Sequence, residues 1–132
     1  MAPRRPVRPA EIDSEVSNRT FIDTNIWVYA VDIADPAKQA RALEVLEPSP
    51  DKDYIVSAQV LGEFYATVTG KLSQAVPASD ASAMVQRMSE LSVVPIDISL
   101  VNEAIAGTSA WRLSYWDSLI IAAAQSSGCT RV

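Results

Sequence analysis

Histidine is absent from all 132 residues, and cysteine occurs once, as Cys129. Together these absences exclude Ser-His and Cys-His catalysis, histidine-ligated metals, an internal disulfide and any cysteine-built zinc site. Long apolar runs are missing too: Leu119 to Ala124 is only six residues, far short of a membrane span. The arginines near the amino terminus run into proline and acids rather than an apolar segment. That is not the build of a secretory signal, so the cytoplasm is the expected location, with no membrane partner. Positive charge is scarce. The net charge is −5, and from Thr20 onward seven basic residues face thirteen acidic ones. A protein that holds nucleic acid by bulk charge looks different. An enzyme acting on a polyanion with this balance needs metal ions, a local basic patch or a partner. What is left for chemistry is carboxylates, hydroxyls, lysine and arginine.

The chain is 48% apolar and 20% charged, an ordinary globular balance. At this length it forms one domain that buries about two thirds of its unfolded surface. Residues 1–18, rich in proline and arginine and without apolar periodicity, read as a flexible arm, and residues 19–132 as the domain. Short apolar strands are expected at Arg19 to Asp23, Asp53 to Val56 and Val93 to Ile96, the last at an edge because of Pro95. Helices alternate with them. One begins at Asn25; the next, capped by Asp35 with Pro36 in first position, carries Ala40, Leu43, Val45 and Leu46. Another follows a Ser57 cap, with Val60, Leu61, Phe64 and Val68 as its buried stripe. Pro77 opens a helix with Met84, Met88 and Leu91 inward. Asp97 or Ser99 caps one with Val101, Ala104, Ile105, Thr108 and Trp111 on one face. Ser114 starts the last, where Trp116, Leu119, Ile120, Ala123 and Ala124 recur at helical spacing and Gly128 ends it. This alternation predicts an α/β fold: a short, mainly parallel sheet between two layers of helices. Thr130-Arg131-Val132 reads as the opening of a further strand, cut short.

The stretch from Phe21 to Ala30 is apolar, with Asp23, Thr24 and Asn25 set into its middle. Asp23 falls between a strand end and a helix start, with Thr24 and Asn25 as donors or caps beside it. The plain account is a strand, an Asx-type turn and a capped helix. The functional account places Asp23 at the carboxyl end of a central strand, where open α/β sheets put their ligands. Two other acids share that edge: Glu63, in the second turn of the helix after the second strand, and Asp117, in the first turn of the last helix. Each has a structural reading as well. Ser114-x-x-Asp117 is a capping box, and Glu63 alone would pass as a solvated helix acid. Tyr65, Trp111 and Trp116 read as core or rim packing rather than stacking platforms. Three converging carboxylates must share a proton or hold a hard cation, and an oxygen-only set favours Mg²⁺ or Mn²⁺.

Three blocks, Phe-Ile-Asp-Thr-Asn at 21–25, Ser-Ala-Gln-Val-Leu-Gly-Glu-Phe at 57–64 and Leu-Ser-Tyr-Trp-Asp-Ser-Leu-Ile-Ile-Ala-Ala-Ala at 113–124, resemble a PIN domain. More narrowly, they resemble the VapC-type toxins of bacterial toxin-antitoxin pairs. The resemblance implies a PIN-like α/β/α sandwich and a Mg²⁺- or Mn²⁺-dependent ribonuclease. Asp23, Glu63 and Asp117 match its metal-binding and catalytic acids, with Thr24 and Asn25 as supporting neighbours. It further implies an RNA substrate, a cognate antitoxin whose segment packs into or beside the acidic cleft, and a homodimer. A further acid follows the Gly-Cys turn in such proteins, whereas only three residues follow Cys129 here. One bound ion rather than two is therefore expected, with the last strand truncated. The competing expectation is a catalytically impaired PIN-fold binding module that contacts an antitoxin or itself.

Overall fold

A computed structural model describes residues 19–129; the arm expected over 1–18 and the strand expected to open at Thr130 lie outside the described residues. Three strands, β1 (Arg19–Phe21), β2 (Asp53–Ser57) and β3 (Ser92–Val94), pair in parallel in the order β1-β2-β3. Between β1 and β2 run α1 (Thr24–Val31) and α2 (Pro36–Val45), and between β2 and β3 run α3 (Ala58–Gly70) and α4 (Ala78–Met88). After β3 come α5 (Ile98–Ala110) and α6 (Tyr115–Ser126). Both crossovers step the same way across the sheet, so the right-handed rule puts α1 to α4 over one face. The packing agrees: α3 lies against α1 and α4, while α5 and α6 pack on each other. This is the expected α/β/α arrangement. One detail differs. Among the described residues β2, not β1, is the central strand, so Asp23 leaves an outer strand of the sheet.

The core is built where pattern and sheet coincide. Phe21, Val56, Val60, Phe64, Val68 and Leu119 are fully buried, and Ala122, Ala123 and Ala124 let α6 close on the sheet. Caps sit where the sequence puts them: Asp35, Ser57, Asp97 and Ser114 each accept a hydrogen bond from a backbone N–H three residues on. Gly128, at φ 77°, ends α6. Its N–H reaches the Gln125 carbonyl and that of Cys129 the Ala124 carbonyl, which is a Schellman closure.

Helix faces depart from their patterns in three places. On α2, Ala42 is buried while Leu43 and Val45 are exposed, because that helix packs chiefly on α1 at the periphery. On α5, Leu100, Ala104 and Gly107 face inward and Ile105 is exposed. On α6, Ser118 and Ala122 turn in and Trp116 turns out. The last two shifts share a cause. Small residues let α5 and α6 approach closely, and the buried Ser118 hydroxyl donates to the Ala104 carbonyl at 2.6 Å.

Gly107 leaves no room at that approach, since a Cβ there would overlap the Trp111 ring and Ser118 Oγ. In an open helix Gly→Ala would stabilise by up to about 1 kcal/mol. Here the sign reverses. Gly107→Ala is expected to cost about 1–3 kcal/mol through overpacking, read as a fall in melting temperature of roughly 4–11 °C.

Candidate active site

Each candidate acid is placed by the end of a secondary-structure element. The β1–β2 ladder continues through Ile22, whose N–H reaches the Ile55 carbonyl at 3.0 Å, and the chain then turns at Asp23. Asp23 is itself the N-cap of α1: its Oδ1 accepts from the Thr24 N–H at 2.7 Å. The helix thus starts one residue earlier than expected, and Thr24 is inside it rather than capping it. Ser57 turns β2 directly into α3, so Gln59 and Glu63 stand on the first two turns at the same edge of the sheet. Ser114 likewise starts α6 and sets Asp117 in its first turn, donating its N–H to Ser114 Oγ at 3.1 Å. The capping and site readings of Asp23 and Asp117 are therefore compatible.

One cavity of about 530 Å³ is lined by Asp23, Thr24, Asn25, Glu63 and Asp117 together. The same walls carry Gln59, Thr67, Lys71, Leu113 and Trp116. Asp23 is half-buried, while Asn25, Glu63 and Asp117 are exposed to the cleft.

A hydrogen-bonded chain ties these walls to one another. The buried Thr24 hydroxyl donates to Glu63 Oε1 at 2.9 Å, while its backbone N–H serves Asp23. From the other side, Gln59 Nε2 donates to Glu63 Oε2 at 3.2 Å and to the Trp116 carbonyl at 3.2 Å. Both acceptors are oxygens, which fixes the orientation of the amide. Glu63 is thus held at both oxygens as an acceptor, and the turn that bears Asp117 is tied to α3. Gln59 Oε1, buried, has no protein partner.

Among the described residues no three acidic or cysteine side chains gather tightly enough to form a ready-made ion cage. The donor chemistry nevertheless fits a hard divalent cation: carboxylates from three elements, an orphaned amide oxygen in the same wall, and no nitrogen or sulfur ligand on the lining. Mg²⁺ in particular keeps several of its waters, so carboxylates can hold it without all touching it. Cys129 stands apart from this lining, and burial pushes its thiol above the ordinary range, which keeps it a poor nucleophile.

Four polar or aromatic lining residues were not singled out for the site by the sequence, or were assigned elsewhere. Gln59, Thr67 and Lys71 continue the i, i+4 series through Glu63, a polar stripe beside the buried Val60-Phe64-Val68 stripe. That periodicity was available to find them. Trp116, expected in core or rim packing, is 62% exposed on the rim.

No curated protein sequence matches the chain. Among solved structures, the VapC20 toxin of Mycobacterium tuberculosis, described as cleaving the sarcin-ricin loop, superposes with a TM-score of 0.64 at 22% identity. That match covers 83% of this chain and 84% of the toxin, a likeness of fold. The family model for the PIN domain matches residues 20–132, a span holding all three acid-bearing blocks. A parallel sheet with its acids gathered at one edge and a family match over nearly the whole domain lead to one assignment: the chain belongs to the PIN domain family.

Proposed function

We propose that the protein is a divalent-metal-dependent endoribonuclease, the toxin of a toxin-antitoxin pair. The observation that carries the reading is the meeting of Asp23, Glu63 and Asp117, from three separate elements, in the wall of one cleft. Membership of the PIN family supports nuclease chemistry, and the VapC20 relative, described as cleaving an RNA loop, supports RNA as the substrate class. Asp23, Glu63 and Asp117 would hold Mg²⁺ or Mn²⁺, directly or through its waters. When bound, such an ion polarises a phosphodiester and lowers the pKa of an attacking water. The protein's own part is positional. Thr24 and Gln59 hold Glu63 as an acceptor, Asn25 offers an amide at the mouth of the cleft, and Lys71 offers positive charge to a phosphate oxygen.

A cognate antitoxin and a second copy of the chain belong to the same reading. A separate apolar groove of about 340 Å³, lined by Trp27, Val31, Leu43, Leu46, Met84 and Leu91, supports a protein contact away from the acid cleft.

Metal removal tests the proposal. Cleavage of a structured RNA by the purified chain is expected to stop in EDTA and return on titration with Mn²⁺ or Mg²⁺. Cleavage indifferent to EDTA would remove the metal from the mechanism. Absence of cleavage with every ion tried would leave the PIN-shaped binding module as the better account.

A further inference from the structure

The cleft carries an aromatic ring that its own helix declines to bury. Spacing along α6 groups Trp116 with Leu119, Ile120 and Ala123, yet those three are buried and the indole is 62% exposed. It is nevertheless held in place. Tyr115 meets the ring edge-to-face, with centroids 4.9 Å apart and planes at 75°, and the Trp116 carbonyl is anchored by Gln59 Nε2. An exposed ring on an anchored backbone, next in sequence to Asp117 and on the lining of the acid cleft, is presented to whatever enters there.

We propose that Trp116 is a base-stacking subsite: an unpaired nucleobase beside the scissile phosphate lies on the indole face while Lys71 takes a phosphate oxygen. This rests on the nuclease reading and goes beyond it by assigning how the strand is gripped. Charge balance is the main argument. Three carboxylates and a single lysine line the cleft, and the chain from Thr20 onward carries an excess of acids. Without its ion the cleft offers a polyanion little electrostatic gain, so the affinity of the metal-free chain must come from a contact indifferent to charge. Stacking on an aromatic face is such a contact, and it tolerates any base. A base already paired in a duplex cannot offer its face, which makes the subsite selective for single-stranded or looped segments.

Two consequences distinguish this from binding by charge. RNA affinity should depend weakly on salt, with a log–log slope of about −0.7, as expected for one lysine–phosphate contact on a single strand. Trp116→Ala should weaken binding about tenfold, as the loss of one stacked base does elsewhere.

The test uses the full chain carrying Asp23→Asn, in EDTA, with a fluorescein-labelled single-stranded RNA and the same sequence as a duplex, read by anisotropy. The single strand is expected to bind better than the duplex. Adding Trp116→Ala should weaken it about tenfold, whereas Trp116→Phe should keep most of the affinity, with both melting temperatures unchanged. In the otherwise native chain, Trp116→Ala should raise KM more than it lowers kcat. Equal affinity with and without the indole, in a chain whose native form cleaves RNA, overturns the subsite and leaves the nuclease standing. No RNA binding and no cleavage by any form overturns both. If Trp116→Ala instead dissociates a dimer in sedimentation while RNA affinity holds, the ring is a protein contact and the subsite is wrong.

Discussion

Replacing Asp23 by asparagine is expected to reduce RNA cleavage about a thousandfold, the equivalent of roughly 4 kcal/mol in the barrier, while the melting temperature stays within a degree or two. The asymmetry comes from the two jobs of this side chain. As the N-cap of α1 it needs only an oxygen to accept from the Thr24 N–H at 2.7 Å. Asparagine supplies one, and it caps helices about as well as aspartate. In the proposed role of ligand for a hard cation the side chain would need its negative charge, which asparagine lacks. Asp23→Ala would confuse the two, because losing the cap costs about 1 kcal/mol in its own right. A thermal melt beside a Mn²⁺-dependent cleavage assay separates them. Cleavage by Asp23→Asn at the parent rate would sink the assignment of Asp23 to the metal, whatever the other acids do.

The elements most legible in the sequence are those fixed by one strong local signal. Ser57, Asp97 and Ser114 announce their helices because a short oxygen before an apolar run has few other uses, and all three cap as expected. That Asp23, Glu63 and Asp117 line one cleft was legible too, since a parallel sheet sends every strand's carboxyl end to one edge. Less legible was how each helix turns about its axis. Trp116 and Ile105 follow the apolar spacing of their helices yet face solvent, because Gly107, Ala104 and Ser118 draw α5 and α6 into close contact and rotate both. Hydrophobicity ranks Trp116 above Ser118, but contact distance favours the smaller side chain. The place of Gln59 on the polar stripe was visible, but its role was hidden for a related reason. A buried amide gives no apolar signal, and its value depends on acceptors at positions 63 and 116 that only the folded chain brings to it.

Gln59→Leu is the sharper test of that network, because stability and activity should part company. The substitution deletes two hydrogen bonds from Nε2, each contributing about 1 kcal/mol net. It also deletes Oε1, a buried acceptor without a protein partner, whose desolvation costs about 1–3 kcal/mol. Leucine has similar bulk and suits a site 8% exposed. The two terms offset, and the melting temperature should move little. Activity has no such offset. Without the amide, Glu63 keeps only the Thr24 hydroxyl, and the turn bearing Asp117 loses its tie to α3. Loss of a group that orients a metal-binding carboxylate typically lowers activity or metal affinity about 10- to 100-fold. The same fall is expected here in kcat, together with a rightward shift of the Mn²⁺ activation curve and little change in KM. Gln59→Asn, which keeps the amide but shortens its reach, should not restore the rate, since both bonds are already 3.2 Å long. A variant that melts early yet cleaves normally would assign Gln59 to packing alone. One that melts normally and needs more Mn²⁺ would establish it as the residue that holds Glu63 and the Asp117 turn in register.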